Sequence, residues 1–320
     1  MTPASLSLFP ETELQIGRRL HPAPNASDTP TLYYSHPAGE LWQGDCVKWL
    51  ATLPDASVDV VFADPPYNIK KAEWDVFENQ EKYIAFSLQW VEQAARVLKN
   101  SGTLFICGFS EILADIKHPA SKFFNSCRWL VWHYKNKANL GSDWGRSHES
   151  ILHFRKSKKF TFNIDEIRIP YNGHTLKYPS HPQAETSQYG KDRNGHLWTP
   201  NPLGAKPKDV LEIPQDLLEI PTTCNGMNEK TPHPTQKPEE LLRKLILATS
   251  NSGDLVIDPF CGSGTTAVCA QQLGRLWKAC DLSAEYLSWA ANRLEQVHPR
   301  FVEDWKNQDI ENQKRRNSIR

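Results

Sequence analysis

The chain has 320 residues, with 37 Lys and Arg balanced by 37 Asp and Glu, 39% hydrophobic residues and 23% charged residues. That is the make-up of a globular protein with one large core, or a core plus an inserted subdomain. No uninterrupted apolar run approaches the ~18 residues of a membrane span, and residues 1–37 lack the basic-then-apolar layout of a signal peptide. Seven scattered cysteines, odd in number and without a C-x-x-C pair, point to reduced thiols and a cytoplasmic setting. Although the net charge is zero, residues 128–215 hold fourteen Lys and Arg against eight Asp and Glu, with six histidines. The middle of the chain is a basic island in an acidic frame.

In chain order, residues 41–46 read as a short strand ending in Gly44-Asp45-Cys46, with a helical segment over 47–53. Residues 58–63 are apolar and β-branched and are closed by two prolines, so they read as a buried strand ending at Asp64. Its tip is Asp64-Pro65-Pro66-Tyr67-Asn68. The Asp64 carboxylate and the Pro65 carbonyl can accept the two N–H groups of an exocyclic amine, and Tyr67 can stack on the attached ring. A polar turn would use the same residue types. Residues 81–99 place Ile84, Leu88, Val91, Ala95 and Leu98 on one helical stripe, which Asn100-Ser101-Gly102 should stop. A strand over 103–107 completes a βαβ unit, which favours a parallel sheet.

Periodicity fades from about 135 to 235, as in a loop-rich insertion. Arg155, Lys156, Lys158 and Lys159 follow a strand over 150–154 and are candidates for phosphate contact. His148-Glu149 fails as a zinc helix, because the position four after His148 is Leu152. No other spacing is metal-like, so no metal site is expected. Pro238 at a first helical position and Glu239-Glu240 behind it open a helix over 239–250. Lys237 at its mouth reads as a lysine facing a carboxylate ligand.

Residues 254–257 form another short strand, followed by Asp258-Pro259-Phe260-Cys261-Gly262-Ser263-Gly264-Thr265-Thr266, a helix over 267–273 and a strand over 276–280 ending in Asp281. Strand, Gly-x-Gly, helix, strand and acid form the layout of a nucleoside-binding βαβ unit. The position three after Gly264 is Ala267, so this motif alone leaves a nicotinamide enzyme open. Cys261, beside a helix start, is expected to have a lowered thiol pKa.

Asp64-Pro65-Pro66-Tyr67, Asp258-Pro259-Phe260 with Gly262, Gly264 and Thr265, Gly44-Asp45-Cys46 and His233-Pro234-Thr235-Gln236-Lys237-Pro238 together resemble the amino-group DNA methyltransferases. With the amine-binding motif first and the cofactor motif last, the chain is similar to their permuted β group, which includes many N6-adenine enzymes of restriction–modification systems. The resemblance spans about 41–295. It implies an α/β, doubly wound, mostly parallel and circularly permuted Rossmann-like sheet with an inserted target-recognition region. The implied division is a flexible extension (1–40), a catalytic half (41–127), the insertion (128–230), a cofactor half (231–298) and a tail (299–320).

The resemblance also implies S-adenosylmethionine as cofactor and double-stranded DNA as partner. A cognate restriction endonuclease and a homodimer are further expectations. Asp64, Pro65, Pro66 and Tyr67 would hold a flipped adenine amine. Phe260, Gly262, Gly264 and Thr265 would cradle the methionine end, and Asp258 and Ser263 are further cofactor-binding candidates. Asp281 would take the ribose, Asp45 the adenine edge, and Lys237 or its neighbours the carboxylate, with Cys46 a further cofactor-binding candidate. Asp45 can also be a turn acid and Asp281 a helix cap. N4-methylation of cytosine is the alternative activity. A cytosine-C5 enzyme is disfavoured because no Pro-Cys dipeptide occurs. Glutamine methylation is disfavoured by Asp64 and the motif order, and a binding module without catalysis would need neither motif.

Overall fold

The computed structural model describes residues 18–19, 29–69, 75–134, 142, 144–179, 181–182, 197–212 and 231–297. Its strands are β1 (Arg18–Arg19), β2 (Thr31–His36), β3 (Gly39–Gln43), β4 (Val58–Ala63), β5 (Leu98–Gly108), β6 (Ser126–His133), β7 (His148–Arg155), β8 (His181–Pro182), β9 (Leu197–Trp198), β10 (Val210–Glu212), β11 (Leu255–Asp258) and β12 (Leu276–Asp281). Its helices are α1 (Cys46–Thr52), α2 (Gln80–Val97), α3 (Ser110–Ala120), α4 (Gly173–Lys177), α5 (Glu239–Thr249), α6 (Thr265–Gln272) and α7 (Ala284–Glu295).

Ten strands form one sheet in the order β1-β2-β3-β12-β11-β4-β5-β7-β6-β10. The five from β3 to β5 are mutually parallel, and β7 runs antiparallel to both of its neighbours. The connection from β11 through α6 leads to β12 on one side, whereas that from β4 through α2 leads to β5 on the other. The switch point of the sheet therefore falls between β4 and β11, where Val60 pairs with Val256 and Val61 with Ile257. Crevices at such points are where open α/β sheets bind ligands. Asp59 reinforces the pair: its Oδ2 accepts from the Leu255 backbone N–H at 2.9 Å and from Lys99 at 2.7 Å.

Every residue of β4 is buried, as its β-branched run requires between two layers of helices. α1, α2 and α3 share one apolar cluster with β4 and β5, built on Trp49, Tyr83, Trp90, Ile112 and Ile116. α5, α6 and α7 pack against one another in turn. Among the described residues, no helix is long and apolar enough to cross a membrane.

Several sequence expectations change. The buried residues of α2 are Tyr83, Ser87, Trp90, Val91, Ala94, Ala95 and Val97, so Val91 and Ala95 are buried as expected, whereas Ile84 and Leu88 are only partly buried. The helix ends at Val97, and Asn100, Ser101 and Gly102 lie inside β5. Pro238 sits one position earlier than expected, as the extended residue capping α5. Residues 31–40 are not an extension, because β2 and β3 form an antiparallel hairpin joined to β12. Within the expected insertion, residues 128–133 and 148–155 belong to the main sheet. β6 and β7 are sheet strands whose basic and histidine residues masked their alternation.

The described residues of 163–208 belong to a separate compact unit. There Ile169 and Ala205 bridge, Arg168 donates to the Gly204 carbonyl at 2.8 Å, and β8 pairs antiparallel with β9. Residues 1–17, 20–28 and 298–320, with 183–196 and 213–230 of the expected insertion, lie outside the described residues.

Candidate active site

The two strand ends open into one cavity of about 280 Å3. Asp45, Cys46, Asp64, Pro66, Lys237, Asp258, Phe260, Gly262, Ser263, Thr265 and Asp281 all line it, whereas Pro65, Tyr67 and Gly264 do not. Phe77, Phe86, His233, Thr235, Gln236 and Tyr286 are among the other residues of its wall.

Asp64 carries two donors. The Tyr67 hydroxyl donates to Oδ1 at 2.6 Å, and the Lys237 ammonium donates to Oδ2 at 2.6 Å. Lys237 is 8% exposed and also lies 3.5 Å from Glu149. Burial alone would lower its pKa, but Asp64 and Glu149 outweigh burial and hold it above the ordinary lysine value. Lys237 thus faces Asp64 of its own chain, where the sequence suggested a cofactor carboxylate. Burial, then Asp64 and Glu149, keep the Tyr67 phenol protonated well above the usual range.

The turn after β4 is fixed by a residue that sequence reading missed. Asp75 is buried and accepts the backbone N–H groups of Tyr67, Asn68 and Ile69 at 2.6, 2.7 and 3.1 Å. Asn68 adopts φ +57°, a left-handed conformation that asparagine tolerates, and its side chain accepts from Phe77 N–H. The Tyr67 ring meets Phe109 edge-on at 5.1 Å.

On the β11 side, Asp258 is fully enclosed. Oδ1 accepts the Phe260 N–H at 2.9 Å and Oδ2 accepts the Thr266 hydroxyl at 2.5 Å. Burial pushes its pKa up to about 7 against these two bonds, with Asp64 and Asp281 adding to the rise. Asp281 accepts Gly262 N–H on Oδ2 at 2.7 Å and Ser283 N–H on Oδ1 at 2.9 Å, and burial raises its pKa. It therefore ties the glycine loop to the start of α7, with further lone pairs available on each oxygen. Asp45 caps α1 through Oδ1, which accepts from Val47 N–H and Lys48 N–H.

Phe260 is rooted edge-on against Trp90 at 5.2 Å. Gly262 has φ +49°, and a Cβ there would lie 3.0 Å from the His233 ring. Gly264 has φ +78°, and its Cβ would lie 2.6 Å from the Ala290 Cβ on α7. The second glycine thus serves the packing of α7 rather than ligand approach. Arg293 on α7 binds the Ser263 carbonyl at 2.8 Å and Thr265 at 3.0 Å, which anchors the loop from behind. Burial, with Asp258 and Asp281 beside it, raises the Cys261 thiol pKa well above its ordinary value, contrary to the lowering expected at a helix start. Among the described residues, no group of three or more His, Cys, Asp or Glu could hold a metal ion.

A family model described as DNA methylase, of the N6/N4 methyltransferase type, matches residues 58–293. The Type II methyltransferase M1.MboII of Moraxella bovis is 35% identical over 81% of this chain and 97% of its own length. The DNA adenine methyltransferase YhdJ of Escherichia coli (strain K12) is 32% identical over 82% of this chain and 84% of its own. Among solved structures, the cytosine-N4-specific PvuII DNA methyltransferase aligns with a TM-score of 0.59 at 17% identity, over 86% of this chain and 93% of its own. The M1.HpyAVI complex with S-adenosylmethionine aligns at 0.52 and 22%, over 80% and 98%. At those identities the structures speak for the fold, while the family match and the closer relatives establish kinship: this chain belongs to the N6/N4 DNA methylase family.

Proposed function

We propose that the protein methylates the N6 amine of adenine at a specific site in double-stranded DNA, with S-adenosylmethionine as methyl donor. The observation that carries this reading is the position of Asp64, which lines the same cavity as the Phe260–Gly262 loop from the adjoining strand.

The cavity chemistry suits the donor. Asp45, Asp64, Asp258 and Asp281 outnumber Lys237 as charged lining groups, which favours a ligand carrying a positive sulfonium. Asp281 and Asp45 offer acceptors for ribose hydroxyls and an adenine amine. Thr235, Ser263 and Thr265 offer small polar groups for an amino-acid end. S-adenosylmethionine, when bound, supplies an electrophilic methyl group whose leaving atom is a neutral thioether.

The chain's own residues address the nucleophile. An adenine amine is weakly nucleophilic because its lone pair is delocalised, and inside a duplex it must first be flipped out, at a cost of a few kcal/mol. Asp64 and the Pro65 carbonyl accept the two N–H bonds and favour a tetrahedral nitrogen, Pro66 fixes the direction of that carbonyl, and Tyr67 stacks on the ring. Asp75 holds this turn in place before substrate arrives. Most of the acceleration then comes from positioning.

N6 is favoured over N4 of cytosine because Asp rather than Ser stands at position 64, as in the adenine enzymes this motif resembles. The reading includes a cytoplasmic enzyme paired with a cognate endonuclease, a permuted order of its two halves, target recognition by part of residues 128–230, and self-association as a dimer. Nucleoside mass spectrometry of duplex DNA incubated with the protein and S-adenosylmethionine tests it. N6-methyladenine is expected. N4-methylcytosine alone overturns the base assignment, and the absence of both overturns the activity.

A further inference from the structure

Glu149 has no role in the motif that Asp64 heads, yet it is built into the same buried cluster. Its side chain is 9% exposed near the start of β7, and the next residue, Ser150, pairs with Gly108 at the end of β5. Glu149 Oε2 lies 3.5 Å from the Lys237 ammonium and 3.4 Å from the Tyr67 hydroxyl. The same two groups lie 2.6 Å from Asp64. Two donors therefore face the same two carboxylates, one near and one far.

A second carboxylate beside a single ammonium leaves this buried cluster with an excess negative charge, which costs stability unless it is compensated. In the structure Asp64 is engaged on both oxygens, by a cation on one and a phenol on the other. Those strong donors compete with the weaker N–H bonds of an amine and draw electron density away from it. A move of about 1 Å transfers either donor from Asp64 to Glu149.

We infer that Glu149 is a positioning residue for the methyl transfer proposed above: it receives Lys237 and Tyr67 when the substrate amine takes their place on Asp64. The ammonium stays charged and paired throughout, so no proton has to move for the exchange. Without Glu149, freeing Asp64 would strand a buried cation.

The proposal rests on the role assigned to Asp64, and two experiments separate it from that assignment. The first needs no activity. In a crystal structure of the Asp64→Asn variant, which removes the charge that holds Lys237, the ammonium should sit within hydrogen-bonding distance of Glu149. If it stays on residue 64 or turns to other groups, the exchange is wrong even if the protein methylates DNA. The second compares Glu149→Gln and Glu149→Asp with the parent in single-turnover methyl transfer, DNA binding and cofactor binding. Glu149→Gln should lower the single-turnover rate by about 30-fold while both affinities stay within about twofold, and Glu149→Asp should recover part of the rate. A rate within about threefold of the parent overturns the proposal. So does a loss that follows cofactor affinity or thermal stability, because Glu149 would then act only on the fold. An inactive parent protein would defeat the functional reading alone, and the position of Lys237 in the Asp64→Asn crystal would still decide this one.

Discussion

Asp75 Oδ1 accepts the backbone N–H of Tyr67 at 2.6 Å, so a buried carboxylate eight residues on holds the turn that presents Asp64. Asn68 and Ile69 donate to the same side chain. Asp75→Ala leaves three N–H groups without that acceptor and should destabilise the protein by roughly 2–4 kcal/mol. Methyl transfer should fall more than about 100-fold, because the turn no longer fixes Asp64 and Tyr67. Thermal unfolding and single-turnover assays check both, and an unchanged rate would remove Asp75 from the design of the site.

Asp64→Ala should abolish methyl transfer. A residue at a strand end would ordinarily leave stability nearly untouched, but the buried Lys237 paired with Asp64 changes that. Deprived of its nearest partner, Lys237 should cost the fold about 1–3 kcal/mol, with Glu149 limiting the loss. Adding Lys237→Met should restore stability without restoring activity. A single variant as stable as the parent would contradict the ion pair.

The Asp258 carboxyl gives a pH signature. Its pKa is about 7 when folded, against 3.8 for an unperturbed group, so the folded state holds the proton more tightly than the unfolded chain. The stabilisation is complete below about 4 and is lost as pH rises through about 7, a change of up to about 4 kcal/mol. Asp258→Asn should flatten that stretch of the stability profile in chemical denaturation. Binding of the cationic cofactor should strengthen over the same range as Asp258 ionises, and titration calorimetry showing a flat affinity from pH 6 to 8 would refute this.

Gly264→Ala combines a left-handed backbone with a 2.6 Å collision against Ala290, and should destabilise by roughly 2–4 kcal/mol. Ala290→Gly should relieve the collision but not the backbone strain, returning part of the loss. If Ala290→Gly returned nothing, the clash would be irrelevant.

The basic cluster after β7 sits at the other end of the strand from Glu149. Because β7 runs antiparallel to β5, Glu149 lies at the end of the sheet near Asp64. Arg155 pairs with Thr103, and it lies six residues further along β7, roughly 20 Å away. Arg155 itself stacks on Phe160 at 4.4 Å. Neutralising Lys156, Lys158 and Lys159 should therefore leave DNA affinity and its salt dependence unchanged. A flatter salt slope would show that DNA reaches this end of the sheet.

These contrasts show what local sequence can carry. The tip at Asp64 and the loop from Asp258 to Thr266 were legible because a short apolar strand and its breakers lie next to the residues they present. α5 was legible because its stripe is continuous, whereas the face of α2 is set partly by Ser87, which hydropathy would not place inward. Glu149 and Asp75 act through atoms brought from elsewhere in the chain and carry no motif of their own. The direction of β7, and with it the location of Lys156 to Lys159, depends on strand pairing that no short segment encodes.

The pairing of β4 with β11 also sets a timetable. Val60 and Val256 are neighbours in the sheet but are separated by most of the chain. At ribosomal speeds of about 5–20 residues per second, β4 waits roughly 10–40 s with one hydrogen-bonding edge unpaired before its partner emerges. A chain truncated ahead of residue 255 would keep that edge open. Such fragments should therefore be clients of chaperones and prone to aggregate, and the site can assemble only after nearly the whole polypeptide has been made.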